Sequence, residues 1–336
     1  MDDRCAQRMI FAVSLNKVMM DTYLRSKAKT ALISYYYIRR RTKAGWKTSL
    51  EAVRKIREHS DVVFIDCGVY TMKTKMMGAQ VGGKPDTMPR DHLEGLKRKF
   101  TANIKVFENY ATRYAAWLKR YDDLYDWAFD LDVDQLLGVD VADRFYRLLV
   151  STVPNPRKIV RVWHMDGRTF DGWVEWCKSG EYDYLAIEGG GSHGRDYDFY
   201  HPFVDVAHKH GVKVHVLAMT DPEFLRRVNV DSGDSISWAA GGMYGYIMTP
   251  RGRIFFNSTP GKKHNLWHWD RIGKQHQKQV IEWLKESGLE SQPKVLRSSY
   301  QARDIINIFY LTSMDRPYID EEHLIRRGGF VHKVPA

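Results

Sequence analysis

The residues best suited to chemistry lie between Val230 and Gly252. Asp231, Ser232, Gly233, Asp234 and Ser235 lead into Ile236-Ser237-Trp238, and Gly241, Gly242 and Gly245 follow before Thr249-Pro250-Arg251-Gly252. A short strand with two carboxylates at its start and glycines behind it suits an enzyme pocket, because glycine lets backbone N–H groups approach a ligand closely. The same residue types also favour an ordinary surface turn. The other acidic and imidazole side chains decide between these readings. Asp66, Asp130, Asp132, His164, Glu188 and His215 each fall in or at the end of a β-branched or aromatic run. A buried strand that finishes on a carboxylate or an imidazole must satisfy that group or use it. One strand-end Asp is explained by capping of the next helix. So many at equivalent places point to the mouth of one enzyme.

The elements that would position these groups alternate along the chain. Strands are predicted at 10–15, 32–37, 62–66, 127–132, 159–164, 184–188, 212–219 and 235–238. Helices are predicted at 49–58, 92–121, 141–150, 170–179, 199–210 and 222–228, with Gly180 and Gly211 as stop signals. Eight strands alternating with helices predict an α/β fold, a (β/α)8 TIM-type barrel, with a doubly wound open sheet as the alternative. Barrel chemistry sits where the strands end and the βα loops meet. Residues 1–258 are expected to form the catalytic barrel, with an added hairpin around 246–256. Residues 259–336 are expected to form a basic, aromatic segment and a C-terminal helix over 300–311, packed on the barrel.

With 336 residues, 43% of them apolar, the chain can bury a large core. Lys and Arg number 52 against 41 Asp and Glu, a net charge of +11 that favours polyanionic partners. Cys5, Cys67 and Cys177 are few, odd in number and far apart, which argues against a disulfide framework or a cysteine zinc site. No apolar run approaches a membrane span and the N-terminus lacks a signal pattern, so a soluble cytoplasmic protein is expected.

Three loops add to the expected face. Arg39, Arg40 and Arg41 follow the second strand. A long glycine-bearing segment, 74–90, follows the third and is long enough to act as a lid. Beyond the hairpin come Lys262, Lys263, Trp267, Trp269, Arg271 and Lys274. Cations interleaved with tryptophan suit phosphates and unstacked bases together, so these nine residues are candidates for nucleic-acid contact.

Taken in order, the motifs resemble those of the tRNA-guanine transglycosylase superfamily, and more closely its phage-type branch, the DNA 7-deazaguanine transglycosylases. Asp66-Cys67-Gly68-Val69-Tyr70 stands for the family's Asp-Ser-Gly-Gly-Phe-like motif, and Leu131-Asp132-Val133-Asp134 for its acidic strand end. Val162-Trp163-His164 resembles the glutamine-bearing strand with the glutamine replaced. Gly189-Gly190-Gly191 resembles the base-binding turn, and His215 through Leu225 the strand and helix start that follow. Asp234-Ser235, Tyr244-Gly245, Met248-Thr249 and Gly252-Arg253-Ile254 fall in gapless register with the nucleophile segment. That segment's Pro-Thr-Arg is replaced by Trp238-Ala239-Ala240, and the tRNA enzymes' cysteine zinc site is absent.

The resemblance, over roughly residues 60–257, implies replacement of guanine in DNA by a 7-deazaguanine base through a covalent Asp–sugar intermediate. It implies Asp234 as nucleophile, with Asp231 as the alternative if the register slips, and Asp66 as acid and base. Asp132 would accept guanine's N1–H and N2–H, with Asp130 on the same side of the strand. Tyr70 would stack on the base, His164 would donate a further bond, and the N–H groups of Gly189, Gly190 and Gly191 would hold the base carbonyl. No metal and no cofactor beyond the incoming base are implied, and a phage-encoded chain would act in a bacterial cytoplasm. Three alternatives stay open: a tRNA-guanine transglycosylase, a metal-dependent barrel hydrolase and a non-enzymatic nucleic-acid-binding protein. Against the hydrolase, Ala12-Val13-Ser14-Leu15 lacks the His-x-His expected on a first strand.

Overall fold

The computed structural model describes residues 9–39, 43–77, 90–164, 167–189, 196–257 and 267–314. They divide into two compact units. One comprises Ile10–Leu15 and Lys29–Ser235; the other contains Asn16–Ala28 and everything from Ile236 onward.

The first unit is a closed barrel of eight parallel strands in sequence order: β1 (Met9–Ala12), β2 (Thr30–Ser34), β3 (Val62–Asp66), β4 (Trp127–Phe129), β5 (Ile159–Trp163), β6 (Tyr184–Glu188), β7 (Lys213–Leu217) and β8 (Ser232–Ser235). Alternate residues fill its interior: Ile10, Leu32, Phe64, Phe129, Val160 and Val162 among them. The intervening face packs on helices, as expected for a (β/α)8 architecture. Helix α1 (Lys17–Leu24) belongs to the second unit. The barrel's own helices are α2 (Tyr35–Ile38), α3 (Lys43–His59), α4 (Val69–Met77), α5 (Arg90–Ala102), α6 (Ile104–Arg120), α7 (Asp134–Leu137), α8 (Val139–Thr152), α9 (Phe170–Lys178), α10 (Tyr197–Lys209) and α11 (Pro222–Val228). In α6, Phe107, Tyr110, Ala111, Tyr114, Ala115 and Leu118 recur at helical spacing and form one buried stripe. Asp196 caps α10 and Asp221 caps α11 through side-chain oxygens that accept backbone N–H groups.

Of the strand boundaries that differ from expectation, three have a visible local reason or consequence. β2 stops at Ser34 because Tyr35–Ile38 turn into α2, despite their β propensity. There Tyr35 packs its ring 5.5 Å from Tyr110 and 4.9 Å from Tyr114 on α6. β4 ends at Phe129, so Asp130 and Asp132 lie beyond the strand. The last strand is Ser-Gly-Asp-Ser rather than 235–238; Ser237–Ala239 is a helical turn instead. Residues so poor in β propensity form a strand here because β7 supplies the partner, pairing His215 with Ser232 and Val216 with Gly233.

The second unit comprises α1, α12 (Ala240–Tyr244), the antiparallel hairpin β9 (Tyr246–Thr249) and β10 (Gly252–Phe255), α13 (Lys274–Glu286), α14 (Pro293–Ser298) and α15 (Tyr300–Met314). The division therefore falls after Ser235, not after residue 258. Ile247, Ile254 and Phe256 of the hairpin share a core with Trp269, Val280, Leu284, Leu296 and Ile306. Asn307 joins these pieces, accepting the Met248 N–H at 2.6 Å and donating to the Trp238 carbonyl at 3.2 Å. No helix among the described residues is long and apolar enough to cross a membrane.

Candidate active site

Asp66 ends β3 beside Ser34 of β2. Burial pushes its carboxyl up to about 6, and the charges of Asp234 and Asp132 push the same way. The Ser34 hydroxyl and the Gly68 N–H pull it back. Gly68 has φ +74°, and any side chain there would run into Tyr36, with a Cβ only 2.5 Å from that residue's Cβ. The turn that presents Asp66 thus requires its glycine.

Asp234, in β8, accepts from His215 Nε2 at 3.0 Å and from the Ala218 N–H at 3.1 Å. Ala218 holds φ +54°, a left-handed conformation costing about 1–2 kcal/mol for a residue with a Cβ. Strained backbone therefore aims a donor at this carboxylate. His215 is 0% exposed and packs on Phe64 and Phe129 inside the barrel. Its Nδ1 lies 2.6 Å from Ser232 Oγ, which lies 2.5 Å from the Tyr184 hydroxyl. Burial holds the Tyr184 phenol far above its usual range, so it stays a donor. The tyrosine proton then goes to Ser232, the serine proton to Nδ1, and Nε2–H is left to point at Asp234.

Past β4 lies a second group. Buried His164 has Nε2 3.1 Å from Asp132 Oδ1 and Nδ1 2.9 Å from Asp134 Oδ1. Neither contact is aligned as a hydrogen bond, since Asp132 Oδ1 and His164 Nδ1 are buried without one. Burial opposes charge on the ring, yet Asp132, Asp134 and Glu188 together raise its pKa to about 9. Asp134 is lowered: its burial is outweighed by the His164 contact, Arg168 and the Gln135 N–H. Lys73, buried on α4, donates to the Asp132 carbonyl at 3.3 Å with its Nζ 3.9 Å from Asp132 Oδ2. Gln135 Nε2 donates to Glu188 Oε2 at 3.2 Å.

Several sequence-derived assignments need correction. Asp130 does not share a strand face with Asp132. It accepts the Val162 N–H at 3.0 Å and feels Arg161 of β5 and Tyr146 of α8, the guanidinium lying over the Tyr146 ring. Burial raises its carboxyl to about 7, against Arg161 and that N–H. Asp231 precedes β8, at the opposite end of the strand from the barrel mouth. It accepts the Val214 N–H and pairs with His208, each at 2.8 Å, so a slip of register cannot make it the nucleophile. His164 has a carboxylate against each ring edge, so both of its ring nitrogens face Asp132 and Asp134. Trp269 is 7% exposed and stacks on Phe256, a core residue and no stacking platform.

Other assignments keep their surroundings. Tyr70, on the first turn of α4, is 71% exposed, an open ring face. Gly189 is buried where β6 ends, so tight against β7 that a Cβ would lie 2.0 Å from the Leu217 carbonyl. Arg39, Trp267, Arg271 and Lys274 are accessible to differing degrees, Trp267 at 43%. Arg40, Arg41, Gly190, Gly191, Lys262 and Lys263, with most of the 74–90 segment, lie outside the described residues. Sequence reasoning missed Lys73, Gln135, and the Ser232 and Tyr184 relay. The only signal for Lys73 was its place one helical turn beyond the Asp66 motif.

No family model and no curated protein matches the chain. Among solved structures, an enolase protein from environmental sequencing of the Sargasso Sea aligns with 67% of this chain and 54% of its own, at 11% identity and a TM-score of 0.37. The chain thus spans about half of that enolase. A protein assigned as a fructose-1,6-biphosphate aldolase, from Coccidioides immitis, aligns over 92% of this chain and 89% of its own, at 12% identity and a TM-score of 0.45. Likenesses this distant carry no argument about chemistry.

Proposed function

We propose that the protein is an enzyme, a base-exchange transglycosylase that replaces guanine in DNA with a 7-deazaguanine base. One observation carries the reading: two strand-end carboxylates, Asp66 and Asp234, feel each other's charge but have opposite surroundings. Asp234 is supplied with two donors, which suit a charged nucleophile. Asp66 is half-buried, and burial together with its acidic neighbours raises its carboxyl to about 6, which suits a general acid. Asp234 attacks the sugar C1′; the bond to the guanine ring nitrogen breaks as Asp66 delivers its proton to the departing base. The second half-reaction runs in reverse, Asp66 taking a proton from the incoming base as its nitrogen displaces the Asp234 ester. Asp132, fixed by Lys73 and His164, accepts the guanine N1–H and N2–H.

DNA is favoured over tRNA because the segment after the hairpin has no zinc-binding cysteines and does have exposed Trp267, Arg271 and Lys274. A duplex guanine must leave its stack, at a cost of a few kcal/mol, and stacking at about 1–3 kcal/mol per base offsets it. The test incubates the protein with labelled guanine or a 7-deazaguanine and either duplex DNA or tRNA. Incorporation into DNA is expected; incorporation into tRNA alone would overturn the choice of polymer, and incorporation into neither would overturn the activity.

A metal-dependent hydrolase is the second reading. Asp132, Asp134 and His164 offer ligand atoms within 4.8 Å of one another, and two of those residues hold buried atoms without hydrogen bonds. Stoichiometric zinc or manganese in purified protein, removed with loss of activity by a chelator, would favour it.

A further inference from the structure

A cleft of about 390 Å³ opens beside the Asp66 turn, between α2, α4 and α6, and its chemistry differs from that of the mouth. Arg39, Lys75 and Arg113 line it together with Tyr36, Asn109 and Tyr110, and no acidic residue does so among the described residues. None of the three cations forms an ion pair with a described carboxylate. The Arg39 guanidinium is held between two rings, 4.4 Å from the Tyr36 centroid and 4.9 Å from that of Tyr110. Lys75 Nζ lies 5.2 Å from the Tyr36 centroid. Arg39 Nε is buried without a hydrogen-bond partner.

Three like charges gathered with no described counter-charge repel one another, and a buried donor left unpaired costs free energy. An anion in the cleft relieves both, and aromatic walls preorganise Arg39 for a planar, forked contact with phosphate oxygens. The walls are also tied to the acid. The Tyr110 hydroxyl donates to the Cys67 carbonyl at 2.6 Å, and Tyr36 packs on Gly68, so the cleft adjoins the two residues after Asp66. Lys73 and Lys75, on one helix, serve different places: the first turns to Asp132, the second lines the cleft.

We propose that this cleft grips a backbone phosphodiester of the nucleic acid close to the nucleotide whose base enters the mouth. The proposal rests on the transglycosylase reading and adds to it the group that anchors the polymer. A backbone phosphate fits better than a free anion because Lys75, Asn109 and Arg113 are exposed, so a polymer can reach them.

The experiment measures binding of a labelled mixed-sequence duplex oligonucleotide from about 50 to 200 mM salt. The proteins are wild type, Lys75→Ala/Arg113→Ala, Arg39→Gln and, as control, Lys209→Ala, an exposed cation on α10 outside the cleft. Each phosphate that is neutralised contributes about 0.9 to the slope of log K against log salt. Losing the grip on one phosphodiester, the double variant should therefore lose up to about 0.9 from that slope and bind at least about tenfold more weakly at low salt, while Lys209→Ala follows wild type. Because Lys75 and Arg113 are exposed, their loss should leave thermal unfolding unchanged, which separates a binding defect from a folding one. If wild type binds and exchanges base but the double variant keeps its slope, the cleft assignment falls and the transglycosylase reading stands. If wild type neither binds nor exchanges base in DNA or tRNA, both fall. Displacement of the duplex by guanosine monophosphate, in wild type and not in the double variant, would reassign the cleft to a free nucleotide.

Discussion

Carboxylates stand at both ends of the barrel strands, and the two ends treat them differently. Asp126 and Asp231 each precede a strand, β4 and β8. Asp126 accepts the Val63 N–H of the neighbouring strand at 2.8 Å and pairs with Arg57; Asp231 accepts the Val214 N–H at 2.8 Å and pairs with His208. Each thus ties two strands together with one backbone bond and holds one basic side chain, Arg57 or His208. At the other end, Asp66 lies within range of the charges of Asp132 and Asp234, and it is raised by burial and by these neighbours. The amino ends satisfy their carboxylates with backbone and basic partners; at the carboxyl ends burial and like charge work against Asp66, a disposition that the proposed transglycosylase chemistry would use.

Four substitutions sharpen or break this contrast. The largest effect is expected at Asp234. Asp234→Ala should lower base exchange by at least about a thousandfold, since no sugar ester can form. A covalent nucleic-acid adduct in that variant, seen on a denaturing gel, would remove the assignment.

Asp66→Asn comes next, with exchange slowed by roughly a hundred- to ten-thousandfold through loss of the acid. Its stability should move in the opposite direction. A carboxyl raised from 3.8 to about 6 in the native state binds its proton more tightly when folded. The stability it contributes is present at low pH and is lost as pH rises through about 6. Asn removes that loss, so at about pH 8 the variant should be more stable by up to about 2–3 kcal/mol, at 1.36 kcal/mol per unit. Denaturant titrations at about pH 4 and pH 8 check this sign; a variant less stable than wild type at the higher pH breaks the contrast.

His215→Phe should be milder. Losing one hydrogen bond to a charged group, about 1.5–3 kcal/mol, corresponds to a roughly ten- to hundredfold fall in kcat with little change in KM. An unchanged kcat would show that the His215 hydrogen bond to Asp234 does not matter to the reaction. Asp231→Ala should have the smallest effect on activity, none beyond about twofold. It should cost about 1–3 kcal/mol of stability by stranding the Val214 N–H. Loss of exchange without loss of stability would place function at the amino end as well.

How far the sequence discloses the site depends on where each residue's neighbours come from. Asp66 and His164 are legible because each closes an apolar run whose end sequence marks. Asp231 and Asp234, three residues apart in one Ser- and Gly-rich stretch, cannot be ranked from sequence. Only the extent of β8 puts one before the strand and the other near its end. Trp267 and Trp269 look alike in a basic segment, yet one is exposed and the other stacks on Phe256. The second is decided by the hairpin's core, built from residues scattered between Ile247 and Ile306.

By itself, the sequence determined the alternation of apolar runs and amphipathic stretches, and with it the barrel, because hydrophobic period is a local property of the chain. Tertiary structure alone decided which side chains meet. It set His164 between Asp132 and Asp134, turned Lys73 to Asp132 from the next helix, and gave Asp234 a donor from strained Ala218. It also gathered Arg39, Lys75 and Arg113 from three helices around one cleft. These juxtapositions join residues as much as about seventy positions apart, and their geometry follows from barrel closure and helix packing, which no local pattern encodes.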